Sequence, residues 1–141
     1  TYLIFGGAGF IGSNFVRHLA EQEEKIIVFD KLTYAGNREN IAGIKHDFVQ
    51  GDIADMKAVR EVYEKYTPDF VVNFAAETHV DRSIENPDIF VQTNIVGTHN
   101  LLQAAKEYKL ERYLQISTDE VYGDLGDTTG TYFHEDTPLA P

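Results

Sequence analysis

Two adjacent carboxylates beside two hydroxyls, Ser117-Thr118-Asp119-Glu120, interrupt an otherwise apolar stretch. Neighbouring carboxylates resist ionising together, so one can keep a proton while the other acts as a base. The cluster is therefore a candidate acid–base pair. Helix capping or a solvated turn is the plainer alternative, and spacing alone leaves both open. Near the start, Gly6-Gly7-Ala8-Gly9-Phe10-Ile11-Gly12 contains the pattern G-x-x-G-x-x-G. The first glycine of such a run permits a tight turn, the second lets backbone approach a pyrophosphate, and the third lets helix and strand pack closely. The anion then sits over a helix N-terminus, where free amides and the helix dipole favour it. A plain glycine-rich turn would explain the motif if it stood alone.

It does not stand alone. Asp30 follows about 20 residues further on, where a carboxylate takes the hydroxyls of an adenosine ribose. A 2′-phosphate there would be repelled, so the expected cofactor is NAD and not NADP. Lys31 complicates this, because a neighbouring cation can tolerate a phosphate. Asp52 and Ile53 are candidates to flank the adenine, and the small Ala75 and Ala76 leave room for a cofactor.

These residues need elements to position them. Apolar β-branched or aromatic runs at 2–5, 25–29, 47–50, 70–74 and 112–117 read as strands. Helical periodicity falls at 11–21, 56–66 and 87–108, with a short turn at 38–42. The alternation predicts an α/β fold, a doubly wound parallel sheet of the Rossmann kind, occupying residues 1–141 as one domain. Gly12 or Ser13 is expected to open the first helix, Asp55 to cap the second, and Thr67-Pro68 to end it. The candidate residues then fall at successive strand ends, where an open α/β sheet binds its ligand. Residues 123–141, rich in Gly, Asp and Thr, read as an irregular, mobile excursion.

Composition bounds the remaining choices. The 141 residues are 43% hydrophobic and 25% charged, as in ordinary globular proteins. With no cysteine there is neither a disulfide framework nor a thiolate metal site. A net charge of −11 argues against a nucleic-acid partner, which a basic patch would announce. No apolar run reaches the roughly 20 residues needed to span a bilayer, so no membrane is expected and the default location is cytoplasmic. The chain opens inside an apolar run without an initiating methionine and stops in a polar, proline-bearing stretch, so a fragment of a longer chain is expected.

Gly6–Gly12, Asp30-Lys31-Leu32-Thr33-Tyr34-Ala35-Gly36-Asn37, Ala75-Ala76-Glu77-Thr78-His79-Val80-Asp81-Arg82-Ser83 and the run from Ser117 to Gly123 together resemble the extended short-chain dehydrogenase/reductases. Within that family the similarity is to the nucleotide-sugar 4,6-dehydratases, and it runs essentially from end to end. Related epimerases carry other residues where Asp119 and Glu120 stand. Mannose-nucleotide dehydratases and decarboxylating relatives usually keep the glutamate but not the aspartate.

The resemblance implies a closed redox cycle on NAD with a dTDP-linked glucose as substrate. Oxidation at C4 acidifies the C5 proton. Glu120 would remove that proton, Asp119 would protonate the C6 hydroxyl as it leaves as water, and Thr118 would hydrogen-bond the C4 oxygen. The cofactor contacts implied are Gly6, Gly9, Phe10, Ile11, Gly12, Asp30, Lys31, Leu32, Thr33, Asp52, Ile53, Phe74, Ala75, Ala76, Glu77 and Thr93. Thr78 stands where the family often has a serine touching substrate. His79 is expected to be a packed loop histidine and Arg82 a loop-fixing ion pair. Pairing of two copies through residues 87–108 and a neighbouring helix is also implied.

Three departures follow. Phe5 replaces a usual threonine, and residues 40–48 look a few residues shorter than in relatives. The Tyr-x-x-x-Lys pair that begins C4 oxidation in this family is absent, since none of Tyr108, Tyr113, Tyr122 or Tyr132 has a lysine four residues on. The family places it, with the C-terminal substrate-binding part, beyond the equivalent of Pro141. Residues 1–141 alone are therefore expected to be inactive.

Overall fold

The computed structural model describes residues 1–126 and 130–141; the three remaining positions of the expected irregular excursion, 127–129, lie outside the described residues. Five parallel strands form one sheet: β1 (Tyr2–Phe5), β2 (Ile26–Asp30), β3 (Asp47–Gln50), β4 (Phe70–Asn73) and β5 (Arg112–Gln115). Their spatial order is β3-β2-β1-β4-β5, so the winding reverses between β1 and β4. Phe5 lies in register with both Phe29 and Asn73. The fold is Rossmann-like, and its ligand crevice is expected at that reversal, off the C-terminal strand ends.

Strand pleating explains the core on each side. Leu3 and Phe5 project to one face, packing with Ile27, Phe29, Val59, Val62, Tyr63, Leu101 and Ala104. Ile4 projects to the other, against Val16, Leu19, Ile26, Val28 and Val72. Helix α1 (Phe10–Glu21) covers the second face, while α2 (Met56–Tyr66) covers the first. A longer helical run follows β4, made of α3 (Val80–Glu85), α4 (Pro87–Phe90), a π-helical segment Val91–Gly97 and α5 (Thr98–Glu107), and α5 covers the first face with Leu101 and Ala104. The inner strands β1 and β2 are buried along nearly their whole length, as parallel strands roofed on both faces must be.

The expected elements are present, with corrected ends. Helix α1 begins at Phe10 with Gly9 as N-cap, not at Gly12 or Ser13. Gly9 is extended at φ −76° and ψ 176°, and Ser13 already gives its amide to the Gly9 carbonyl. Asp55 caps α2 as expected, accepting from the amides of Lys57 and Ala58. Thr67 ends α2 in the left-handed conformation, φ 42°, rather than in the extended region favoured before proline. The turn at 38–42 is a 3-10 helix, Arg38–Ile41. The run expected at 87–108 is not one uniform α-helix but is wound as π-helix across its centre.

Candidate active site

The glycine turn leaves β1 at Gly6, whose φ is +72°. A Cβ at Gly6 would meet the Ala75 amide nitrogen at 2.6 Å, and one at Gly12 would meet the Gly6 carbonyl at 2.3 Å. Glycine is therefore required at both places by backbone lying against backbone. The amides of Phe10, Ile11 and Gly12 open α1 and have no intrahelical acceptor. Phe10 and Ile11 are 82% and 63% exposed, an apolar pair standing at the mouth of the turn.

Asp30, at the end of β2, is buried. Its Oδ2 accepts the Ala8 amide at 2.9 Å and its Oδ1 accepts the Leu32 amide at 2.8 Å. The carboxylate thus fixes the glycine turn to the β2 loop, and each oxygen keeps further acceptor capacity for a ligand hydroxyl. Leu32 reaches this geometry through φ +58° and packs against the core on the α1 side, so its side chain is not in the crevice.

Lys31 does not stand free. Its Nζ lies 2.6 Å from Asp52 Oδ2, while Asp52 Oδ1 accepts the Ala54 amide at 2.9 Å. Ile53 is buried against Gly97, where a Cβ would fall 2.5 Å from Ile53 Cγ1.

One narrow crevice gathers most of these residues. Its walls are Gly6 and Gly9; Asp30, Lys31 and Thr33; Ile53; Phe74, Ala75, Ala76 and Glu77; and Thr93. Phe29, Ala35, Gly36 and Gly51 line it too and escaped the sequence reading. Gly36 was the legible one, since a Cβ there would strike Asp30 Oδ1 at 2.6 Å. A larger cavity of about 950 Å³ lies at the opposite end of the strands, beside Arg17, Lys25 and His46, and holds none of the predicted residues.

Glu77 is 6% exposed and its Oε2 has no hydrogen-bond partner among the described residues. Its backbone is clamped by the Asn94 side chain, which accepts from the Glu77 amide and donates to the Glu77 carbonyl, both at 2.9 Å. The π-helical segment presents Asn94 for this clamp and Thr93 to the crevice. Such wide turns recur at functional sites.

The strand ends β4 and β5 are braced from below. Asn73, fully buried, donates to Gln115 Oε1 at 3.0 Å and accepts the Ala75 amide at 3.0 Å. Tyr113 donates to the same Gln115 oxygen at 2.7 Å, and burial pushes its phenol up to about 12, which keeps it a neutral donor. This brace sets the Ala75–Thr78 loop beside the segment that carries the two carboxylates. Thr118 caps the 3-10 turn Asp119–Tyr122 without a side-chain cap bond. Thr118, Asp119 and Glu120 are exposed, as is Thr78.

Two loop expectations are corrected. The Arg82 guanidinium lies over the Tyr34 ring, 4.0 Å from its centroid, and forms no ion pair among the described residues. His79 is exposed, and its ring stands 5.3 Å from the same tyrosine. Among the described residues no cluster of three or more metal-ligating side chains occurs, and no helix is long and apolar enough to cross a membrane.

Comparison with known proteins agrees with this geometry. A low-salt glycan biosynthesis protein of Haloferax volcanii is 51% identical over 144 residues, covering 99% of this chain and 45% of the relative. A dTDP-glucose 4,6-dehydratase of Xanthomonas campestris is 47% identical over 154 residues, covering 100% and 43%. A crystal structure of a Streptomyces venezuelae dTDP-glucose 4,6-dehydratase with NAD bound superposes with a TM-score of 0.88 at 43% identity, over 99% of this chain and 45% of that one. A Thermus thermophilus UDP-glucose 4-epimerase in complex with NAD gives 0.89 at 33% identity, over 99% and 44%. The chain thus spans under half the length of the relatives it matches. The model of one family, described as GDP-mannose 4,6 dehydratase, matches residues 3–141, and the chain belongs to that family.

Proposed function

We propose that residues 1–141 are the NAD-binding domain of a nucleotide-sugar 4,6-dehydratase that converts dTDP-glucose into its 4-keto-6-deoxy derivative. One observation carries this reading. The crevice and the exposed Thr118-Asp119-Glu120 run lie at the same C-terminal end of the sheet, the crevice bounded by the loop after β4 and the run following its hydrogen-bonded neighbour β5.

The residues present fit NAD. The amides at the start of α1 suit a pyrophosphate, Asp30 suits a ribose, and the unpartnered Glu77 oxygen faces a crevice with room for a donor. Phe10 and Ile11 offer an apolar cover that is otherwise exposed. When bound, NAD supplies reversible hydride storage, so C4 of the sugar is oxidised, C6 is later reduced, and no net redox change remains. Thr118 hydrogen-bonds the C4 oxygen and Thr78 touches the sugar nucleotide. Glu120 takes the C5 proton made acidic by the neighbouring ketone and returns a proton to C5 when C6 is reduced. Asp119 gives a proton to the C6 oxygen as the C6–O bond breaks, and water leaves. Two carboxylates thus divide base and acid roles.

The aspartate supports a dTDP-glucose substrate over a mannose nucleotide, given the pattern of the relatives. The epimerase likeness supports the scaffold only, since Asp119 and Glu120 answer to water elimination. Pairing of two copies along the helical run is supported by Val91, Ile95 and Leu102, exposed apolar residues at helical spacing.

The test uses the complete protein with NAD and dTDP-glucose. The expected product is the 4-keto-6-deoxy sugar with loss of water; a C4 epimer, or no turnover, overturns the reading. Glu120→Gln should oxidise C4 and then stall, with overall turnover down by 10²- to 10⁴-fold. An undiminished rate in that variant removes the base assignment.

A further inference from the structure

We infer that selectivity for NAD over NADP rests on Asp52 as well as Asp30, because Asp52 engages the Lys31 ammonium that would otherwise be free to accept a 2′-phosphate; this rests on the NAD reading above. A 2′-phosphate is accepted by a free cation at the end of the second strand and refused by a carboxylate there. The chain carries both types side by side, Asp30 and Lys31. The structure separates their roles.

Asp30 is turned inward, onto the Ala8 and Leu32 amides. Lys31 lines the same crevice, and its Nζ is engaged by Asp52 Oδ2 at 2.6 Å. The pairing is fixed by the sheet. Asp30 is in register with Gln50, and the Gly51 amide donates to the Asp30 carbonyl at 3.1 Å, so Lys31 and Asp52 leave adjacent strand ends together. Arg38 and Arg17, two further cations, also have partners of their own. Arg38 lies over the Phe48 ring, 4.4 Å from its centroid, and Arg17 donates to the Asn40 carbonyl. Asp30, Lys31 and Asp52 together carry one net negative charge, so an incoming phosphate dianion meets net repulsion from this trio.

Asp52→Asn is the informative change. It removes the charge that holds Lys31 but keeps an oxygen for the Ala54 amide, so the loop stays capped. In the complete protein, NADH and NADPH affinities would be read by nucleotide fluorescence for the wild type, Asp52→Asn, Lys31→Met and the double variant. The wild type should prefer NADH, and Lys31→Met alone should not move the ratio of the two dissociation constants toward NADPH, since it leaves the Asp52 charge uncompensated. Asp52→Asn should shift that ratio toward NADPH by about tenfold, as expected for one freed charge-assisted contact, and Lys31→Met in that background should restore it.

An unchanged ratio in Asp52→Asn overturns the inference, including the case in which both affinities fall together. So does a shift that survives in the double variant, since loss of the Asp52 charge itself would then be the cause. A wild type that binds NADPH as well as NADH also overturns it. A wild type that binds neither nucleotide defeats the NAD reading itself, a failure distinct from these.

Discussion

At the scale of the residue, the glycine turn is legible because Gly6 and Gly12 each answer to a backbone contact no other side chain survives. Gly12→Ala would place a methyl 2.3 Å from the Gly6 carbonyl and 3.0 Å from Gly7 Cα, both rigid backbone. We expect it to lower stability by about 2–3 kcal/mol, measured as the shift in urea midpoint, and to weaken NADH binding at least tenfold. Gly43→Ala is the control, since a Cβ there meets nothing within 4 Å although φ is +76°. It should cost only about 1 kcal/mol, the strain of a left-handed alanine, with binding unchanged. Equal effects of the two changes would show that close approach is not what Gly12 provides. Asp30 was equally legible, because its chemistry travels with its position. The partner of Lys31 was not, since a lysine's partner depends on which loops the sheet brings together. The same holds for Arg82, whose aromatic neighbour lies more than forty positions away in sequence.

At the scale of the element, long periods read well and short ones do not. The strands and α1, α2 and α5 announce themselves by alternation or by a 3.6-residue repeat. Helix α3 spans six residues, under two turns, too few for a period to emerge. The π-helical segment has no sequence signature, because tertiary contacts select it: the Asn94 clamp on Glu77 and the close approach of Gly97 to Ile53. The start of α1 was misplaced for a related reason. Glycine is a poor helix former, so the first turn hides within the cradle. Nor could spacing reveal Asn100, whose buried side chain donates to the carbonyls of both Ile53 and Ala54 at 3.0 Å. Those bonds anchor the loop after β3 to α5. Asn100→Ala leaves two carbonyls without donors and should cost about 2–3 kcal/mol in chemical denaturation. A loss under 0.5 kcal/mol would mean that other groups hold the loop.

At the scale of the whole molecule, the core that positions the site also sets its tolerance of alkali. Burial pushes the Tyr113 phenol up to about 12, and it raises that of Tyr63 as well. An unfolded tyrosine loses its proton near pH 10. Between pH 10 and 12 the unfolded chain therefore holds fewer protons than the folded one, so stability falls as pH rises. Below pH 10 this contribution is fully present. Urea midpoints measured from pH 9 to 12 should decline, and more gently in a Tyr63→Phe, Tyr113→Phe double variant; an identical decline would place the sensitivity elsewhere. One contact described above reaches across the molecule in another way. Tyr34 belongs to the loop after β2, while Arg82 and His79, which rest on its ring, belong to the segment after β4. The loop proposed to meet the adenosine end of a dinucleotide and the loop proposed to lead to the sugar thus share one aromatic plate. Ordering either loop lowers the entropy that ordering the other must forfeit. If the proposed function holds, reciprocity requires that a dinucleotide which tightens sugar binding through this plate be tightened by the sugar to the same degree.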